Sequence, residues 1–520
     1  MRWILAALGF ASCLGLPLIA GSAPSTADPV RAVVLADQPG AHIDRHLFGQ
    51  FAEHLGRGIY EGIWVGEGSA IPNTRGFRND VLAALRALHV PVVRWPGGCF
   101  ADEYHWRDGV GPRAQRPVTL NTNWGGVPES NAFGTHEFLD FAQLIGAEAY
   151  VNGNVGTGSP REMAEWLQYL SSDKPTSISA ERAANGHAAP WKIAYFGVGN
   201  ELWGCGGSMT PGFYVEQFRR FATFLKAPAG ARPLIIAAGG HDEDTSWTEA
   251  LISQAADQAG LISFHYYTIP GEHWRAKGPA LGFDEAQWIS TFAHTLRMED
   301  FIVRNSAVMD RYDPAGKVGL AIDEWGDWYD PEPGSEAQFL YQQNTLRDAL
   351  VAALNLNVFM RHAERVRMAN IAQMVNVLQA MILTHGPQMI LTPTYHVFHL
   401  YRPFQDATAL PVQISSPLYS LGRVSVPAVS LSSARTVEGA VALSLVHLQP
   451  RTSVEVVITL RGFALKHVTG EILTASAMDA HNSFEQPQAL RPEPFAGAAI
   501  VGDMLRVRMP PKSLVVLKLE

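Results

Sequence analysis

Two stretches decide the fold: Ala194–Glu201, which reads AYFGVGNE, and Val318–Glu324, which reads VGLAIDE. Each is a short apolar run without polar alternation that ends in a carboxylate. Unbroken runs of this length fit strands buried on both faces, as in a parallel sheet wrapped by helices. A polar residue at the C-terminal end of such a strand stands where barrel enzymes place their chemistry.

Six further runs of the same kind flank these two: Phe48–His54, Val92–Pro96, Glu148–Val155, Leu234–Gly239, Leu261–Tyr267 and Asn370–Asn376. Helical signals lie between them. Val81, Leu82, Leu85 and Leu88 fall on one face after Asn79. Ser159-Pro160-Arg161-Glu162 is a capping box with proline at the first helical position, followed by Met163, Trp166, Leu167 and Leu170. Thr210-Pro211 opens a helix with Tyr214, Phe218, Phe221 and Leu225 inward, and Glu336 to about Arg367 reads as one long helix. The alternation predicts an α/β protein with a (β/α)8 TIM barrel over residues 45–403. Past Pro403, Val441–Leu448, Ser453–Leu460 and Leu514–Leu519 are strand-like between prolines and glycines, and Val30–Leu35 shares their character. A C-terminal antiparallel β-sandwich, jelly-roll-like, is expected over 404–520, joined by a strand from 28–44.

Composition sets outer limits. The chain has 520 residues, 47% hydrophobic and 17% charged, enough for a large core plus a small second unit. A net charge of −9 without a lysine or arginine run argues against a nucleic-acid partner. Arg2, the apolar Trp3–Ala20 and Gly21-Ser22-Ala23 read as a signal peptide over residues 1–27. A secreted or periplasmic protein is expected from this, with no membrane contact after cleavage. A homo-oligomer is compatible with the sequence. Cys99 and Cys205 remain in the processed chain, as a disulfide or as free buried thiols.

Polar residues follow the apolar runs repeatedly. They are Glu53-His54, Pro96-Gly97-Gly98-Cys99, Asn152 and Asn154, Asn200-Glu201, His265-Tyr266-Tyr267, Asp323-Glu324, and Gln373 with Asn376. Their recurrence on one rim marks a site. Cleavage of a glycosidic bond needs an acid for the leaving oxygen and a carboxylate for the oxocarbenium-like carbon. Glu201 and Glu324, ending two different strands, can supply both. His241-Asp242-Glu243-Asp244 reads as a solvated acidic loop rather than a metal site. Trp203, Trp325 and Trp328 are expected to stack on sugar or to wall the cleft.

Longer motifs sharpen this reading. Phe51–Gly56 (FAEHLG), Arg94–Gly111 (RWPGGCFADEYHWRDGVG), Gly156–Ser159 (GTGS), Gly197–Gly207 (GVGNELWGCGG), Ser263–Tyr267 (SFHYY), Ile322–Tyr329 (IDEWGDWY), Ala369–Val377 (ANIAQMVNV) and Leu391–Tyr401 (LTPTYHVFHLY) run in order through the barrel. In these the chain resembles glycoside hydrolase family 51, the α-L-arabinofuranosidases, within the clan A glycosidases. The resemblance implies an acid/base at Glu201, a nucleophile at Glu324, and sugar contacts at Glu53, Asn200, Tyr267 and Gln373, with His265 as a positioning residue. Cys99 stands where many relatives have asparagine after PGG, and Gly326 where many have asparagine. No metal and no cofactor are implied. The expected activity is retaining, exo-acting removal of arabinofuranose from arabinose-containing oligo- or polysaccharides, with the two carboxyl groups roughly 5–5.5 Å apart. The alternatives are an endo-β-glucanase or xylosidase on the same glutamates, a non-catalytic carbohydrate-binding barrel, and a metal-dependent barrel enzyme.

Overall fold

The computed structural model describes residues 29–227 and 232–520. The leader read in residues 1–27 lies outside the described residues. Eight strands close into a barrel: β1 (Gly49–Phe51), β2 (Val92–Trp95), β3 (Glu148–Gly153), β4 (Tyr195–Val198), β5 (Leu234–Ala237), β6 (Leu261–Thr268), β7 (Gly319–Asp327) and β8 (Val366–Ile371). Each is parallel to its two neighbours in chain order, and β8 closes on β1. Every residue of β7 is buried, which accounts for its lack of alternation.

The register of β6 against β7 positions a histidine at the rim. It shifts between Ser263 and His265, and the irregularity sets His265 opposite Glu324. A bulge of this kind re-aims a side chain at the rim of a barrel.

Two expectations are corrected. The last strand is Val366–Ile371 rather than Asn370–Asn376. Beyond it the chain turns out of the sheet through Asn376 and Leu378, both at positive φ. The run from Met368 to Val377 holds no glycine or proline to mark that exit. The preceding helix covers Leu346–Arg361 rather than Glu336 to Arg367. Thr345 caps it, its side chain accepting from the Arg347 N–H while Asp348 accepts from the Thr345 N–H and hydroxyl. Val366 and Arg367 belong to β8.

That helix is buried on every face from Leu346 to Met360, because the barrel covers one side and the C-terminal sheets the other. One of those sheets has five strands, ordered Val412–Ser415, Val30–Leu35, Val454–Arg461, Met504–Met509 and Ala498–Val501. The other has six, with Val429–Arg435, Val441–His447 and Ser513–Leu519 at its centre. All strand pairs in both are antiparallel except Val30–Leu35 against Val454–Arg461. Among the described residues no helix is long and apolar enough to cross a membrane.

Trp288 ties the two units together. It is fully buried on the helix Glu285–Thr295, and its indole N–H donates to the Leu448 carbonyl at 2.9 Å. Trp288→Ala should cost about 3–5 kcal/mol, the range for deleting a buried tryptophan. Urea unfolding measures this, and a loss under about 1 kcal/mol would show that the junction does not depend on Trp288.

Candidate active site

A cavity of about 370 Å³ opens at the C-terminal ends of the barrel strands, with Glu201 and Glu324 both on its wall. A larger surface groove of about 760 Å³, along the helix Pro160–Ser171, holds neither. One carboxylate oxygen of Glu201 and one of Glu324 lie within 4.8 Å of each other and of a His265 nitrogen.

Glu324 is held by donors on both oxygens. Arg94 Nη1 donates to Oε1 at 2.9 Å, and the Tyr267 hydroxyl to Oε2 at 2.9 Å. Arg94, on β2, also donates to the Asp323 carbonyl at 3.0 Å and the Asn200 side-chain oxygen at 2.5 Å, with Asp323 Oδ2 3.7 Å from its Nε. Its guanidinium lies over the Phe51 ring, 4.7 Å from the centroid. Burial raises the Glu324 carboxyl above the usual range; the His265 charge opposes this, Glu201 adds to it and Arg94 opposes it. Hydrogen bonds donated to both oxygens, one of them from a guanidinium, stabilise the anion more than the acid.

Glu201 has a different environment. It follows β4 at a φ of +43°, past Gly199 at +82°, so the chain bends sharply as the carboxylate enters the cavity. Its Oε1 is 2.9 Å from His265 Nδ1, and His265 Nε2 is 3.1 Å from Asp323 Oδ1. Burial alone disfavours an imidazolium, but Glu324, Asp323 and Glu201 outweigh it and push His265 up to about 10. Burial also raises Asp323, but Arg94, His265 and Tyr150 bring it below the usual range.

Glu53 lines the opposite end of the network. Its Oε1 accepts from the Phe100 N–H at 3.0 Å and the Trp124 indole at 2.9 Å, and its Oε2 from Gln373 at 3.1 Å. Burial and the Glu324 charge push its carboxyl up to about 7 against these donors. A Cβ at Gly98 would lie 2.9 Å from Glu53 Oε2 and 3.2 Å from Glu324 Oε1, so a side chain there would displace the carboxylates. Cys99 is bonded to Cys205, with Cα atoms 5.5 Å apart.

Known proteins share this architecture. Residues 84–277 match the model of the α-L-arabinofuranosidase 1 domain, and residues 323–513 that of the α-L-arabinofuranosidase C-terminal domain. An intracellular exo-α-L-arabinofuranosidase of Bacteroides ovatus is 46% identical over 94% of this chain and 95% of its own. The crystal structure of the GH51 arabinofuranosidase from Xanthomonas axonopodis pv. citri superposes with a TM-score of 0.94 at 55% identity, covering 95% of this chain and all of that one. A thermostable GH51 α-L-arabinofuranosidase from Thermotoga petrophila superposes at 0.82 with 29% identity, covering 94% of this chain and all of its own.

The chain belongs to glycoside hydrolase family 51.

In this family-51 chain Glu53, Cys99, Glu201, His265, Tyr267, Glu324 and Gln373 all border the cavity. Asn200 does not; it is 1% exposed, its side-chain oxygen accepts from Arg94 and its backbone N–H donates to Asp102 Oδ2 at 2.7 Å. Trp203 and Trp328 wall the cavity, whereas Trp325 is fully buried against Phe359 and Phe398, on the far side of the strand from Glu324. Alternation along β7 dictates this: neighbouring side chains face opposite ways. In the acidic loop Glu243 and Asp244 are exposed, while His241 and Asp242 also border the cavity, the His241 ring tilted against Trp203 with centroids 3.9 Å apart. Asn154 and Asn376 fix backbone instead, through the Tyr104 and Arg57 carbonyls.

Sequence reasoning places Asp323 on the rim without a role, and passes over Arg94 and Asp102, which lie in the quoted motifs, and Trp124, Trp274 and Lys277, which lie on loops without a pattern. A charge inside an otherwise apolar strand, as in VVRW, is the available signal for Arg94. The expectation of a secreted or periplasmic protein is also corrected, because the Bacteroides ovatus relative is named as intracellular.

The raised His265 has a pH consequence. A cation whose pKa rises from 6.5 unfolded to about 10 folded stabilises the fold fully below about pH 6.5. That contribution is lost as pH climbs toward 10. Glu53 and Asp102, both pushed up to about 7, have largely titrated by about pH 8. Between about pH 8 and 10 the wild type should therefore lose urea resistance more steeply than His265→Gln. Equal slopes for the two proteins would show that the imidazolium does not form in the fold.

Proposed function

We propose that this protein is a retaining, exo-acting α-L-arabinofuranosidase that releases terminal arabinofuranose from arabinose-containing oligo- or polysaccharides. Glu324 serves as nucleophile and Glu201 as acid/base. The observation that carries the reading is the close approach of two carboxylates in unlike environments, within 4.8 Å at their nearest oxygens. Inverting enzymes leave room for a water, with roughly 6.5–9.5 Å between carboxyl groups.

The chemistry rests on the hydrogen bonds. Arg94 and Tyr267 fix the Glu324 carboxylate for attack on the anomeric carbon. Glu201, in its protonated form, gives its proton to the departing oxygen, while His265 Nδ1, 2.9 Å from its Oε1, holds the carboxyl group in position. Covalent capture of the sugar removes the Glu324 charge, and Glu201 then takes a proton from the attacking water. Glu53 and Gln373, paired through Oε2 and Nε2, are placed to meet sugar hydroxyls. A cavity of about 370 Å³ accommodates a terminal residue better than a length of main chain.

The endo-β-glucanase reading draws no support from the bifunctional glucanase-xylanase CelM2, which shares the fold at 15% identity and a TM-score of 0.61.

Hydrolysis of 4-nitrophenyl α-L-arabinofuranoside, β-glucoside and β-xyloside in parallel tests the activity, with the arabinofuranoside expected to dominate. Glu324→Ala should lose roughly 10³-fold or more in kcat with every substrate. Glu201→Ala should still form the glycosyl-enzyme from dinitrophenyl arabinofuranoside, stall, and recover turnover with azide. Azide rescue of Glu324→Ala with retained configuration, and none of Glu201→Ala, would reverse the assignment.

A further inference from the structure

The cavity also holds a cation that the double displacement does not use. Lys277 lies on the segment between β6 and the helix Glu285–Thr295, and among the described residues it is the sole lysine or arginine on the cavity wall. Its Nζ stands 4.7 Å from the Trp328 ring centroid and 5.7 Å from that of Trp274. The two indoles meet edge to face at 5.2 Å, and Trp328 meets the Tyr267 ring at 5.2 Å. Tyr267 in turn donates to Glu324. One wall of aromatic side chains therefore runs outward from the nucleophile to an ammonium group.

That ammonium is half-buried, and burial draws it below the usual lysine range. Asp330 acts on it only at a distance, and among the described residues no carboxylate forms an ion pair with it. The aromatic faces offset part of the lost hydration. The Trp328 indole N–H is likewise buried without an acceptor among the described residues. A cation without a carboxylate partner, beside aromatic faces suited to stacking, asks for an anionic group carried on a ring. Neutral sugar hydroxyls would leave the charge without a counter-ion.

We propose that Lys277 binds a carboxylate on the leaving-group side of the cavity, so that the preferred substrates carry a uronic acid or another acid-bearing group next to the departing arabinose. The proposal rests on the arabinofuranosidase reading above. It concerns which aglycone is selected and leaves the displacement itself unchanged.

The test compares 4-carboxyphenyl α-L-arabinofuranoside with its methyl ester, read as the ratio of their kcat/KM values. Differences in leaving-group ability are the same for every enzyme form and cancel between variants. Lys277→Met should lower the acid-to-ester ratio about tenfold, while Lys277→Arg should keep it within about threefold of wild type. Raising salt from about 0.02 to 0.5 M should lower the wild-type ratio and leave that of Lys277→Met flat, because screening acts only where the charge is present. A ratio in Lys277→Met within about twofold of wild type, with the ester still cleaved, overturns this proposal alone. Failure of the wild type to cleave either compound overturns it together with the arabinofuranosidase reading.

Discussion

A guanidinium inside a barrel must be surrounded by acceptors, and Arg94 is 1% exposed. Its acceptors are the groups that define the site: the Glu324 carboxylate, the Asn200 side-chain oxygen and the Asp323 carbonyl, with the Asp323 carboxylate adding charge at 3.7 Å. β2, β4 and β7 thereby share one fixed charge. Removing one partner of such a buried pair typically costs about 3–5 kcal/mol, so Arg94 constrains geometry as well as charge. Asp102 extends the constraint. Its carboxylate accepts from the Val155, Gly156 and Asn200 N–H groups, fixing the turn that precedes Glu201.

Charge balance around Arg94 separates the two glutamates. Glu324 lies between Arg94, Tyr267 and the edge of the His265 ring, all of which favour an anion. Glu201 is the more exposed carboxyl and has one strong partner, His265, which is itself anchored to Asp323. The Asp323–His265–Glu201 chain therefore fixes the orientation of the Glu201 carboxyl group at the cavity wall. Two chemically identical side chains acquire unlike roles from neighbours on adjacent strands.

Much of this is legible in the sequence. Each barrel strand gives an apolar run, and the acids at the ends of AYFGVGNE and VGLAIDE mark the rim directly. Strand eight lies about four residues earlier than its run suggests, because ANIAQMVNV has no glycine or proline to mark the exit from the sheet. Trp325 adjoins Glu324 in sequence and so reads toward the cleft, yet alternation within a strand sends it to the helices. Asn200 is expected on the sugar, but its oxygen is taken up by Arg94, a contact between β2 and the end of β4 that no local pattern encodes. Trp124, Trp274 and Lys277 lie on connecting segments, where periodicity carries no information and only the closed barrel brings them to the cavity.

The central claim is that the carboxylate held by Arg94 and Tyr267 is the one that bonds to the sugar. The most direct measurement is to inactivate the wild-type protein with 2,4-dinitrophenyl 2-deoxy-2-fluoro-α-L-arabinofuranoside and map the labelled peptide by mass spectrometry. The account predicts a single fluoro-sugar ester on Glu324. An ester on Glu201, or inactivation without any ester, would contradict it.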